Sequence, residues 1–167
     1  MHMHQEANTL LRTDVEAFNA WRLQHPGEEI DLAGEVYDGL ELFEAYLVGI
    51  NFTGCSFRAA NLQECILSGA ILDKADCTGA NLSYSQLGPA ELINASLHNK
   101  LAGYLVRGAS LRGTLFTNAD LSRASFRETD IEGADFRGAK LDGAKFFHTN
   151  HADAKFDDNA ANQAFFL

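Results

Sequence analysis

Ala60-Asn61-Leu62-Gln63-Glu64-Cys65-Ile66-Leu67-Ser68-Gly69-Ala70-Ile71-Leu72-Asp73-Lys74-Ala75-Asp76-Cys77-Thr78-Gly79-Ala80-Asn81-Leu82 repeats itself every five residues. The period extends outward in both directions. Upstream, the same position holds Leu42, Leu47, Phe52 and Phe57; downstream it holds Leu87, Leu92 and Leu97. The register then slips by one residue and resumes at Leu101, Val106, Leu111, Phe116, Leu121, Phe126, Ile131, Phe136, Leu141, Phe146, His151, Phe156, Ala161 and Phe166. Two residues before most of these centres stands a small residue, such as Ala45, Cys55, Ala60, Cys65, Ala109 or Ala124. Two residues after many of them stands glycine, such as Gly49, Gly69, Gly79, Gly108, Gly113 or Gly133. Gly103 supports placing the slip between Leu97 and Leu101.

A period of five fits neither ordinary element. On an α-helix five residues turn the face by roughly 140°, so the leucines would scatter. On a flat strand an odd step sends alternate leucines to opposite sides. The chain must therefore turn once per repeat. The small residue and the centre both point inward, and the remaining residues form an outward corner where glycine accepts the required dihedrals.

This small-x-[LF]-x-x pattern resembles the pentapeptide-repeat family over residues 30–167. The resemblance implies an all-β solenoid: a right-handed, four-sided β-helix of about seven coils, twenty residues each, stacked about 4.8 Å apart over 30–35 Å. With one residue removed at the slip, four interior columns follow. One runs Leu42, Leu62, Leu82, Leu101, Leu121, Leu141, Ala161, and another Leu47, Leu67, Leu87, Val106, Phe126, Phe146, Phe166. The others run Phe52, Leu72, Leu92, Leu111, Ile131, His151 and Phe57, Cys77, Leu97, Phe116, Phe136, Phe156.

Residues 1–29 form a separate N-terminal segment. Leu11, Val15, Phe18 and Trp21 recur at helical spacing, Thr13 and Glu16 fit a capping box, and Pro26-Gly27 ends the run. A short α-helix is expected here, with Val15, Phe18 and Trp21 as the cap that plugs the first coil. The run Val15–Arg22 with Pro26 and Asp31-Leu32 also resembles a leader before many bacterial arrays of this family. His2 and His4 read as added or disordered residues.

The chemistry-bearing residues mostly have structural explanations. His148 and His151 have metal-like spacing, but the frame places His151 inside and His148 at an outer corner. Cys55, Cys65 and Cys77 occupy inward positions as small hydrophobes, with neither disulfide nor zinc spacing. Asp130, Glu132 and Asp135 point outward among Arg127 and Arg137, as on a solvated, ion-paired surface. We expect no enzyme, no cofactor and no metal.

The net charge of −10 disfavours direct nucleic-acid binding. Nothing is apolar enough to span a bilayer or form a secretory signal, and a cytoplasmic location is expected. The favoured reading is a protein-interaction scaffold with a protein partner. The resemblance also implies an alternative, an acidic DNA mimic that binds DNA gyrase, as in members protecting gyrase from quinolones. Weighing against it are the balanced charge of residues 101–167 and the lack of long inserted loops. A secretion-system effector or immunity protein is a further alternative. The wall over Leu47, Leu67, Leu87 and Val106 carries the outward apolar residues Tyr46, Val48, Ile66 and Leu105, and the neighbouring wall adds Ile71 and Ile93; together they are the expected partner surface. The N-terminal residues 1–12 are the alternative occupant of that wall. Phe156, Phe165, Phe166 and Leu167 are the expected interface of a homodimer through the C-terminal coil.

Overall fold

The computed structural model describes residues 2–89 and 107–167. Its body is a β-helix built from single-residue parallel bridges, four to each turn of the chain. The first wall pairs Asp31–Asn51–Ile71–Ser110–Asp130–Asn150, and the second Val36–Ser56–Asp76–Leu115–Asp135–Lys155. The third pairs Glu41–Asn61–Asn81–Asp120–Lys140. The fourth pairs Tyr46–Ile66–Gln86–Ser125–Lys145 and ends in the two-residue strand pair Lys145–Phe146 with Phe165–Phe166.

Backbone hydrogen bonding explains the period of five. In one repeat, the N–H of the centre Leu62 donates to Asn81 O of the next coil, and that of Glu64, two residues on, donates to Ser83 O. The N–H of Asn61 donates back to Leu40 O, and that of Cys65 closes the turn onto Leu62 O. The fifth N–H, on Gln63, goes to the side-chain Oδ1 of Asn61 at 3.0 Å. The same local bond recurs at Asn51, Asp76, Asn81, Asp120, Asp130 and Asp135. All five donors of such a repeat are thus satisfied, as a packed backbone requires. The residue two after most centres adopts positive φ, whether glycine (Gly54, Gly79) or not (Glu44, Lys74, Arg123). Non-glycine residues are strained there, and the inter-coil bond made by the same N–H offsets that strain.

The centres are buried and stack in columns. Phe116 lies on Phe136 and Phe126 on Phe146, with ring centroids 5.0 and 4.6 Å apart, and edge-to-face contacts join the two columns. Each buried ring contributes roughly 1.5–3 kcal/mol.

The columns differ from expectation in one respect. Leu82 stacks directly under Leu121, thirty-nine residues on: its N–H donates to Asp120 O. Leu72, Cys77 and Leu87 likewise donate to Ser110, Leu115 and Ser125. The phase of each column is as read, but no coil stands between residues 71–89 and 110–129. Leu92, Leu97, Leu101 and Val106, expected in the stack, lie outside the described residues, and Leu111, Phe116, Leu121 and Phe126 follow directly on Leu72, Cys77, Leu82 and Leu87. The first wall has six rungs, about 24 Å from first to last. A coil of nineteen residues is one short of four repeats, and bypassing it keeps every described rung in register.

The N-terminal segment forms two helices, α1 (His2–Thr13) and α2 (Val15–Gln24), where one was expected. Asp14, not Thr13, is the N-cap of α2, accepting from Ala17 N–H at 2.9 Å. Thr13 ends α1 and donates its hydroxyl to Thr9 O. Phe18 and Trp21 are buried and Val15 packs against the core. His2 and His4 belong to α1, and His4 Nδ1 accepts from Asp31 N–H at 2.8 Å. Arg12 donates to Val36 O, Asn19 bonds both Glu44 O and Tyr46 N–H, and Arg22 donates to Val48 O. The helices thus supply partners that a preceding coil would have supplied, removing an open strand edge.

At the other end, a 3₁₀ turn at Ala160–Asn162 exposes Ala161, and Gln163 Oε1 accepts from Leu141 N–H where a carbonyl would stand. His151, expected inside, is exposed because no further coil among the described residues covers it.

The stacking of Leu82 on Leu121 yields a prediction. Leu82→Arg places a charge in a dry column without a partner, and the variant is expected to yield insoluble or unfolded protein by circular dichroism. A soluble, folded variant would show the frame to be wrong.

Candidate functional site

The interior cysteines are held as unreactive thiols. Cys55 and Cys65 donate their thiols to Leu32 O and Leu42 O, both at 2.9 Å. Burial pushes their pKa values up to about 11 and about 12, and that of Cys77 higher still. The thiolate, the nucleophilic form, is suppressed. All three cysteines are free. His148 and His151 are both exposed, and among the described residues no group of three or more His, Cys, Asp or Glu is placed to hold a metal. Function must be sought on the outer faces.

On the first and second walls most charges are already engaged. Arg58 pairs with Asp76, Arg112 with Asp130 and Glu132, and Arg137 with Asp135. Arg112, rather than Arg127, is the cation that reaches Asp130 and Glu132; Arg127 lies against Glu128. Hydrogen bonds from Arg137 hold the Asp135 carboxyl below the usual range despite its burial. Burial would raise Asp76, but hydrogen bonds from Thr78 and Arg58 prevail and lower it. These aspartates are structural: they accept the otherwise unpaired backbone N–H of their own repeat.

The corner between the third and fourth walls differs. Its positive-φ positions are Glu44, Glu64, Tyr84, Arg123 and Gly143, one per coil. Beside them run the outward residues of the fourth wall. Two depressions lie along this corner and share Tyr84. One, of about 430 Å³, is lined by Asn19, Glu44, Tyr46, Glu64, Ile66 and Gln86. The other, of about 520 Å³, is lined by Arg123, Asp142, Gly143, Lys145 and Phe165. Tyr84 is more than half exposed, and the Arg123 guanidinium lies 5.8 Å from its ring centre.

The expected apolar surface is only partly assembled here. Tyr46 is half-buried and Ile66, 6% exposed, forms the floor of the groove. Val48, expected to point outward, is fully buried, and its carbonyl is held by Arg22 of α2. Helix α1, the expected alternative occupant of this wall, instead contacts Asp31, Glu35, Val36 and Tyr37. Ile71 is exposed on the neighbouring first wall, as expected, and lines a separate hollow with His4, Asp31 and Arg107. Ile93 and Leu105 lie outside the described residues. The sequence reading missed Tyr84, Arg123 and Lys145, whose alignment appears only when the thirty-nine-residue step is known.

The family model for pentapeptide repeats matches eight copies over residues 41–73, 61–99 and 107–143, more than half of the chain. The chain belongs to the pentapeptide-repeat family. Among solved structures, this pentapeptide-repeat protein is similar to Rfr23, a pentapeptide repeat protein from the cyanobacterium Cyanothece 51142. The TM-score is 0.59 at 20% identity, covering 91% of this chain and 99% of that one. It is also similar to QnrB1, a plasmid-mediated fluoroquinolone resistance protein, with a TM-score of 0.55 at 14% identity, covering 80% of this chain and 65% of that one. Both likenesses show the fold. No curated protein matches. No enzymatic family is indicated. No helix among the described residues is long and apolar enough to cross a membrane.

Among the described residues the ladder passes directly from Leu87 to Ala109, an interruption that the sequence reading did not see. Ala109 N–H donates to Leu87 O at 2.7 Å, so the ladder closes across residues 88–108. Pro89 is the sequence signal that could have found it. It stands two after a centre, where the repeat requires positive φ and an N–H donor, and proline supplies neither. Gly88 and Gly108 flank the bypass and leave no room for a side chain. A Cβ would lie 2.3 Å from Arg127 O at the first and 2.0 Å from Glu128 O at the second. Gly108→Ala is expected to lower the thermal midpoint by several degrees, whereas Gly27→Ala, which meets nothing within 4 Å, leaves it unchanged. Equal midpoints in calorimetry would refute the close packing at this neck.

Proposed function

We propose that this pentapeptide-repeat protein is a non-enzymatic scaffold that docks a protein partner in the groove along the corner of the third and fourth walls. The observation that carries this reading is the continuity of the two depressions through exposed Tyr84, with Tyr46, Ile66 and Phe165 as further apolar surface. Exposed aromatics in a concave surface are the residue type that most often anchors a protein interface. A filled core allows the outward residues to specialise without disturbing the fold.

Gyrase binding is a second reading. The direct closure of the ladder from Leu87 to Ala109 removes the argument from an uninterrupted array. The pairing of wall aspartates with arginines and backbone N–H groups still counts against a DNA-like charge array.

A Tyr46→Ser/Tyr84→Ser variant with native circular dichroism is expected to lose a partner that wild type captures and mass spectrometry identifies. Val36→Ser, an exposed change on the second wall, should retain it. Undiminished capture by the double variant would discard the groove. Protection of purified gyrase in a supercoiling assay would favour the second reading.

We also propose a homodimer through the C-terminal coil. Phe165 and Leu167 are 57% and 85% exposed, and Phe166 presents the open end of the stack on Phe146. Phe156, half-buried, adjoins it. Light scattering is expected to give twice the chain mass, and Phe166→Asp to halve it. A monomer at high micromolar concentration would overturn the dimer.

A further inference from the structure

The charges of the docking groove are sorted by sign along the solenoid axis. Glu44 and Glu64 line its N-terminal half, Tyr84 stands in the middle, and Arg123 and Lys145 line its C-terminal half together with Asp142. All of the glutamates, Arg123 and Lys145 are exposed, and none makes an ion pair among the described residues. This contrasts with Arg58, Arg112 and Arg137 on the neighbouring walls, each fastened to an aspartate. The side chains of the corner sit on successive coils, so their order is that of the stack: two glutamates, an aromatic, an arginine, and then Gly143 flanked by Asp142 and Lys145.

Resting on the docking reading, we propose that the groove takes an extended peptide segment of about seven residues from a partner protein, with a basic end, an apolar or aromatic centre and an acidic end. The length follows from spacing. Four inter-coil steps separate Glu44 from Gly143, roughly 19 Å, which an extended chain covers with six or seven residues. The basic end lies beside Glu44 and Glu64, the centre over Tyr84 and Ile66, and the acidic end beside Arg123 and Lys145. Charge of opposite sign at the two ends sets the direction of the segment and rejects sequences with the wrong order. A nucleic acid would meet repulsion from Glu44 and Glu64. A second copy docking by the same corner would set one concave surface against another, leaving the floor at Ile66 unfilled.

The test uses the full chain and two fluorescein-labelled heptapeptides of identical composition, read by fluorescence anisotropy. The sorted peptide carries two lysines at one end, a central phenylalanine flanked by alanines, and two aspartates at the other end. The mixed peptide has one lysine and one aspartate at each end. The sorted peptide is expected to bind about tenfold more tightly than the mixed one, with the preference shrinking as salt is raised. Glu44→Lys/Glu64→Lys is expected to abolish the preference, while Tyr84→Ser weakens both peptides. Equal binding of the two peptides, still weakened by Tyr84→Ser, would overturn the sorted-charge inference and leave the docking groove standing. No binding of either peptide at millimolar concentration would overturn the inference, and retained capture by the Tyr46→Ser/Tyr84→Ser variant would independently overturn the groove. Self-association abolished by the glutamate reversal would assign the corner to a second copy instead.

Discussion

A backbone that turns a corner every five residues must still find partners for all its N–H groups, and in this protein the asparagine or aspartate before the centre makes that accounting close. Three donors reach neighbouring coils and one closes the turn. The remaining N–H would face outward unpaired, and the side chains of Asn51, Asn61, Asp76, Asn81, Asp120, Asp130 and Asp135 accept it locally. Hydrophobic stacking fills the interior, and in these repeats the local bond joins the positive-φ residue two after the centre in shaping the corner. Asp76, Asp120, Asp130 and Asp135 are therefore elements of the fold, which weakens their reading as a recognition surface.

The same requirement governs the ends and the interruption. The first coil lacks a predecessor, and His4, Arg12, Asn19 and Arg22 take the predecessor's place as donors or acceptors. The cap is thus polar at its rim and apolar at its centre, where Phe18 and Trp21 lie. At Pro89 the pattern is interrupted, because proline falls where an N–H and a positive φ are needed. The stack closes by bringing Ala109 to Leu87, with two glycines packed against the Arg127–Glu128 backbone.

Corners are where this architecture is free to vary. Their side chains point away from the core, and the strained position recurs on every coil at the same place. A residue type chosen there is repeated along the axis every 4.8 Å or so. Glu44, Glu64, Tyr84 and Arg123 exploit one such line, while the corner after the first wall is largely glycine, with Gly34, Gly54, Gly113 and Gly133.

The fold itself was legible in the sequence. Leu, Phe and Ala at a five-residue spacing can share one interior only if the chain turns at each repeat, and the buried centres from Leu42 to Phe146 follow that spacing. The same local rule could not tell a nineteen-residue coil from a nineteen-residue insertion, since both preserve the phase of the columns. That choice was made by the ladder, which pairs Ile71 directly with Ser110. It in turn brought Tyr84 next to Arg123, a neighbourhood invisible to a twenty-residue period. The burial of Val48 and the exposure of His151 also depended on what lies above or below them, α2 in one case and no further described coil in the other. Periodicity specifies which way a side chain points, but only the completed stack determines what, if anything, stands against it.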